Sequence, residues 1–205
     1  MLPISVDLAQ VRAILVGDGA AAERRLALLD EAGAGMLDVY APSPGAAFAA
    51  AAGTRLRRRW PRVAEIARAQ LVFVAGVADP AAGEIRRAAQ AAGVLINVED
   101  DRRRSDFHSA AVFRRGDLTV AISTNGRSPG LAALMRRMLE ERFGPEWEVR
   151  LERLAALRQG WREAGAGAAA IGRWTRELVD RCCWLDPAPP AGAADASHDR
   201  PRPIP

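Results

Sequence analysis

The sequence predicts an α/β protein built on a doubly wound parallel sheet, and three observations carry that expectation. Short apolar runs alternate with periodic helical segments through the first half of the chain. The first run ends in a turn, Gly17-Asp-Gly19, that opens a helix. A later run, Leu71-Val-Phe-Val-Ala75, is apolar throughout, as a central parallel strand buried on both faces must be.

The elements follow in order. Val11–Val16 reads as the first strand and Ala20–Glu31 as a helix, with Leu26 and Leu29 facing inward and Gly33 closing it. Met36–Tyr40 is the second strand, ended by Ala41-Pro42-Ser43-Pro44. An alanine-rich helix is expected over Ala46–Ala52, a weakly alternating strand over Thr54–Trp60 and a short helix over Pro61–Ala67. After Leu71–Ala75 comes a helix from Ala78 to about Ala92, stopped by Gly93, and then the strand Val94–Val98. Successive βα units of this kind imply right-handed crossovers and a Rossmann-type sheet.

Beyond Asp101 the pattern changes. Ala110–Arg114 and Leu118–Ser123 read as antiparallel strands joined at Arg115-Gly-Asp117. Ser128-Pro129 starts a helix over Gly130–Phe143, serine as N-cap and proline in the first position. Its Leu131, Leu134, Met135, Met138 and Leu139 recur at helical spacing. Residues 146–185 read as two helices broken near Gly165–Gly167, and a disordered tail is expected from Asp186. The expected organisation is a dinucleotide-binding domain over 1–109, a small α+β dimerisation region over 110–145, a helical region over 146–185 and the tail over 186–205.

Composition narrows the class. The 205 residues are 49% hydrophobic, enough for a full core. No run reaches the roughly 18 apolar residues of a membrane span, and no basic leader opens the chain, so a cytoplasmic protein without membrane contact is expected. Lysine is absent and arginine carries the side-chain positive charge. The net charge of +4 is scattered and aromatics are 5%, which argues against a nucleic-acid face and suits an anionic small molecule. Cys182 and Cys183 are adjacent on an expected helix, where side chains diverge by about 100°, so neither a shared metal nor a disulfide between them is expected. His108 has no second ligand near it in sequence, and no resident metal site is expected.

Three clusters carry chemistry. Gly17, Gly19 and Ala22 have the spacing G-x-G-x-x-G/A. The first glycine permits the tight turn, the second lets backbone approach a pyrophosphate, and the small third residue lets the helix pack on its strand. The helix start then offers N–H groups and its dipole to phosphates. Such folds place an acid about twenty residues on, at the end of the second strand, to hold the ribose. None stands there, because Asp38 points from within the strand. Backbone at Ala41-Pro42-Ser43 and the Ser43 hydroxyl are the expected contacts instead, and the lack of an arginine immediately there favours NAD over NADP.

The second cluster, Asn97-Val-Glu-Asp-Asp101, lies at the carboxyl end of a strand, where open α/β sheets bind ligands. A carboxylate there, Asp100 first, can act as a general base. The third, Ser123-Thr-Asn-Gly-Arg-Ser128, is a hydroxyl-rich loop entering a helix start, suited to an anionic substrate. Arg127 can add a forked contact to a carboxylate. An NAD(H)-sensing regulatory module of the same fold would need neither of these two clusters.

In their order and spacing, Gly17-Asp-Gly-Ala-Ala-Ala-Glu-Arg-Arg25, Ile96-Asn-Val-Glu-Asp-Asp101, Asp106-Phe107, Arg115-Gly-Asp-Leu-Thr-Val-Ala-Ile-Ser-Thr124 and Asn125-Gly-Arg-Ser-Pro129 resemble the precorrin-2 dehydrogenase/sirohydrochlorin ferrochelatase family. That family includes the first module of bacterial siroheme synthase. The resemblance implies NAD-dependent oxidation of precorrin-2 to sirohydrochlorin, followed in some members by Fe²⁺ insertion to give siroheme. It implies a homodimer to which the Leu118–Phe143 region contributes, with the C-terminal helices over the tetrapyrrole. It places the family's aspartate on Asp100, cofactor contacts on Ala20 and Ala21 at the turn, and further ones on Pro42 and Ser43. Asn97, Ser123, Thr124, Asn125, Arg127 and Ser128 are then the expected substrate contacts. Where the family usually has a third glycine in its turn, this chain has Asp18.

Overall fold

In a computed structural model, which describes residues 2–186, fourteen helices and strands follow one another, with two short 3₁₀ turns between them. The first part runs β1 (Arg12–Gly17), α1 (Gly19–Glu31), β2 (Met36–Tyr40), α2 (Ala46–Ala52), β3 (Leu56–Arg57), α3 (Val63–Ile66), β4 (Leu71–Ala75), α4 (Ala81–Ala91) and β5 (Leu95–Val98). Its five strands are all parallel, in the order β3-β2-β1-β4-β5. The chain leaves β1 in one direction and returns beside it with β4. That reversal of strand order is the crevice where such sheets bind ligands.

Apolar side chains alternate between the sheet's two faces. Leu15, Val39 and Phe73 pack with Ala22, Leu26, Leu29 and Phe48 of α1 and α2 on one side. Ile14, Val16, Val72, Val74 and Ile96 pack with Ile66, Ala82, Ile85 and Ala89 of α3 and α4 on the other. At the outer edge of β5 the segment 105–107 takes the place of a sixth strand. The Asp106 carboxylate accepts the Ile96 N–H at 3.0 Å, and the Ser105 hydroxyl accepts that of Val98 at 2.9 Å. An edge that would otherwise expose unpaired amides is thereby covered.

The second part holds the antiparallel pair β6 (Ala111–Arg115) and β7 (Leu118–Ile122), then α5 (Pro129–Arg142), α6 (Glu146–Glu163) and α7 (Ala168–Arg181). The chain divides into two compact units, one of residues 1–109 with 125–127, the other of 110–124 with the chain from Ser128 on. Within the second, the rings of Phe113, Phe143, Trp147 and Trp184 form a chain with neighbouring centroids 5.0 to 6.4 Å apart. Arg115 donates to the carbonyls of Phe143 and Glu140, at 2.9 and 3.0 Å, satisfying acceptors that the end of α5 leaves open.

Several expectations are corrected. The strand expected over Thr54–Trp60 is only Leu56–Arg57, because Gly53–Arg55 winds into a 3₁₀ turn and Pro61 follows soon after. The helix expected over Pro61–Ala67 is the four-residue turn Val63–Ile66. Cys182 and Cys183 lie beyond the end of α7 and not within it, and Cys183 has a positive φ of 51°. On α5 only Ala132 is buried, whereas Leu131, Leu134, Met135 and Met138 are exposed. The expected tail lies outside the described residues, except for Asp186.

Candidate dinucleotide site and its carboxylate edge

The turn after β1 is built around backbone that tolerates no side chain. Gly17 stands beside Ala75 in the β1–β4 register, and a Cβ at Gly17 would lie 1.8 Å from the Ala75 carbonyl oxygen. From the other side, a Cβ on Gly76 would lie 2.3 Å from the Asp18 carbonyl oxygen. Gly19 differs: at φ +71° nothing stands within 4 Å of its would-be Cβ. The space beside Gly19 is therefore open to a ligand, and α1 begins there with no side chain capping its N–H groups. Ala20 is exposed and Ala21 half-buried at that start, while Pro42 and Ser43 are exposed beyond β2. Asp38 stays within β2 and faces Arg57 across 3.6 Å.

The carboxyl end of β5 faces the same edge of the sheet, since all five strands are parallel. Its acids are sharply differentiated. Asp101 is committed: it accepts from the N–H groups of Arg103 and Arg104, each at 3.0 Å, and pairs with the Arg104 guanidinium, which holds its carboxyl below the usual range. Glu99 is half-buried, one oxygen 3.7 Å from Arg24 and the other enclosed without a hydrogen-bond partner among the described residues. Asp100 is exposed, at a positive φ of 59°. A non-glycine residue there is strained by about 1–3 kcal/mol, and such strain collects at functional positions.

Beneath this edge lies Arg25, stacked 5.5 Å from the centre of the Phe73 ring and hydrogen-bonded to the Ser109 hydroxyl. Burial pushes its pKa down, against the pull of Glu99 and Asp100 in the other direction. Asn97 is buried, its amide donating to the Phe107 carbonyl at 2.9 Å while its Oδ1 has no partner among the described residues. It holds the covering segment in place and leaves unmet acceptor capacity at the strand end.

The third cluster is a turn closed on itself. The Thr124 hydroxyl accepts the Ser128 N–H at 3.1 Å and donates to the Ser128 carbonyl at 3.0 Å. Between them Asn125 and Gly126 both take positive φ, 52° and 71°. The Ser128 hydroxyl caps α5 by accepting the Leu131 N–H at 3.3 Å. Ser123 and Arg127 are exposed, and the Arg127 guanidinium makes no hydrogen bond or ion pair among the described residues.

Against known proteins, residues 4–111 match the family described as "Putative NAD(P)-binding", just over half of the chain. The chain belongs to this NAD(P)-binding family. Residues 115–142 match a second one, "Sirohaem biosynthesis protein central". Among relatives, the chain is 35% identical to Siroheme synthase 1 of Aeromonas salmonicida over 152 residues, 68% of this chain and 30% of that protein. It is also 35% identical to a siroheme synthase of Methylococcus capsulatus over 171 residues, 80% of this chain and 35% of that one. The chain thus spans about a third of the length of these relatives. A similar solved structure, "SirC, precorrin-2 dehydrogenase", superposes with a TM-score of 0.67 at 22% identity, covering 90% of this chain and 92% of the other, and supports the fold.

The residues fit the dinucleotide this NAD(P)-binding family is named for. Gly19 leaves open space beside an uncapped α1 start that would hold the phosphates, and the close Gly17–Ala75 and Asp18–Gly76 backbone approaches keep the turn against the sheet. Sequence reasoning missed Gly76 and Arg25 as parts of the site. A glycine directly after the fully apolar run 71–75 was the available signal for Gly76. Nothing in the sequence pointed to the enclosed Glu99 oxygen or the half-buried Arg25, because both depend on how α1 lies across the strand ends.

Proposed function

We propose that the chain binds NAD at the β1–α1 turn and uses Asp100 as the base in oxidising precorrin-2 to sirohydrochlorin, within siroheme biosynthesis. The observation that carries this is the division of labour among three adjacent acids: Asp101 is consumed by the 102–104 turn, Glu99 is half-buried, and Asp100 alone is exposed on strained backbone. The similarity to siroheme synthases supplies the substrate class.

NAD, when bound, supplies the hydride acceptor. The chain's own residues do the rest. Oxidation of precorrin-2 removes one hydride and one proton, and Asp100 takes the proton. The backbone at Gly17, Gly19, Ala20 and Ala21 holds the pyrophosphate, and Pro42 and Ser43 border the ribose. The substrate's carboxylates are met by Arg127, with Ser123, Thr124 and Asn125 shaping the turn that presents it. Asn97 acts through the 107 segment.

We also propose a homodimer. Four large apolar side chains on one helix are exposed in the single chain, Leu134 and Met138 by 58% and 59%. A contiguous apolar face of that kind marks a partner surface.

The direct test is anaerobic incubation of the purified protein with precorrin-2 and NAD. One NADH formed per sirohydrochlorin is the expected result. Tight NAD binding without oxidation of precorrin-2 would instead identify a sensor or scaffold. Adding Fe²⁺ in a second stage reads siroheme formation separately.

A further inference from the structure

Resting on the dinucleotide reading above, we propose that Asp18 is the residue by which this chain discriminates NAD from NADP. It does the ribose-side work for which the end of β2 has no acid.

An aspartate at a helix N-cap ordinarily turns its side chain onto the N–H groups of its own first turn. Asp18, the N-cap of α1, makes no such bond. Both of its carboxylate oxygens instead accept the Gly45 N–H, at 3.0 and 3.2 Å. The N–H groups of α1 are left for phosphate, and a full negative charge is carried from the glycine turn to the loop that follows β2. Pro42 and Ser43 stand in that same loop.

In this fold the adenosine ribose lies between the glycine turn and the end of β2, where a carboxylate accepts from the 2′-hydroxyl and an arginine accommodates a 2′-phosphate. On this proposal the ribose lies beside the Asp18 carboxylate, which bridges the glycine turn to Gly45 in the loop after β2. It offers an acceptor to a ribose hydroxyl and repels a phosphate. Of the four arginines next along the chain, Arg55, Arg57 and Arg59 are engaged elsewhere, Arg55 with Asp30, and Arg58 is exposed. Arg57 pairs with Asp38 and donates to the carbonyls of Thr54 and Leu56, and Arg59 pairs with Glu65. The backbone of Asp18 is also hemmed in, because the Gly76 Cα lies against its carbonyl with no room for a Cβ.

The test is titration of the intact protein with NADH and with NADPH, read by nicotinamide fluorescence and independent of any turnover. Asp18→Asn keeps an acceptor for the Gly45 N–H and removes the charge. The parent should bind NADH at least about tenfold more tightly than NADPH, and Asp18→Asn should shrink that ratio by about tenfold, chiefly through gained NADPH affinity, as removal of a like-charge repulsion requires. Asp18→Ser should move it the same way. A readout without any variant is salt: the parent's NADPH affinity should rise relative to NADH as ionic strength screens the repulsion. Equal affinities in the parent, or an unchanged ratio in the folded variants, overturn the role of Asp18 and leave the dinucleotide site standing. Failure of the parent to bind either nucleotide overturns the site itself, and this role with it.

Discussion

Asp100 differs from its neighbours in what it is spared. Asp101 accepts three hydrogen bonds, so its replacement should loosen the 102–104 turn before it touches chemistry. Asp100 holds no such bond among the described residues, and its replacement should leave the fold unchanged. Asp100→Asn should therefore bind NAD like the parent, while precorrin-2 oxidation falls by the roughly 10²–10⁴-fold typical of a lost general base. Stopped-flow measurement of NADH formation checks this, and a near-parental rate would pass the role to Glu99. The glycines sort in the same way. Gly19→Ala meets only backbone strain, about 1–3 kcal/mol at most, because nothing lies near the new Cβ. Gly17→Ala drives a methyl group to within 1.8 Å of the Ala75 carbonyl and should cost more than that range. Urea unfolding of the two variants should separate them clearly.

At the scale of elements, α3 shows how a single turn is kept. Glu65 accepts the Arg62 N–H at 2.7 Å and takes both terminal nitrogens of Arg59, which lowers its carboxyl from 4.5 to about 2. A carboxyl depressed on folding stabilises above its unfolded value and loses that contribution as pH falls through the folded one. The melting-temperature difference between parent and Glu65→Gln should thus be full above about pH 5 and shrink toward pH 2. On α5 the test is assembly. Leu134→Glu combined with Met138→Glu should give a monomer in light scattering, since each side chain withdraws about 1.5–3 kcal/mol of burial and a two-fold interface counts each twice. These elements also mark where the sequence stopped being legible. Alternation of apolar runs and glycine stops located every strand of the parallel sheet, because each run is local. β3 is shorter than the alternation over 54–60 implies, because that alternation does not reveal that Gly53 starts a 3₁₀ turn. The α5 stripe was visible as a period, but a period does not say whether a core or a second copy covers it. In the site, the turn could be read from glycine spacing, whereas the sorting of Glu99, Asp100 and Asp101 depends on the positive φ at Asp100 and on which arginine each acid meets.

For the molecule as a whole, the groups proposed to hold NAD sit on loops of one sheet edge, and binding there is coupled to folding. A ligand that binds only the native state adds RT ln(1 + [L]/Kd), about 2.7 kcal/mol at a hundredfold excess over Kd. In a chain of this size each kcal/mol raises the melting temperature by roughly 2–4 °C, so saturating NAD should shift the transition by about 5–11 °C. Gly19→Val separates that linkage from nonspecific effects of the nucleotide. Its side chain fills the open space beside the turn, so the variant should melt somewhat below the parent without NAD and stay at that temperature with it. Scanning calorimetry of both proteins, with and without NAD, gives the four numbers required. A parent that does not shift, or a variant that shifts equally, would remove the cofactor from the turn.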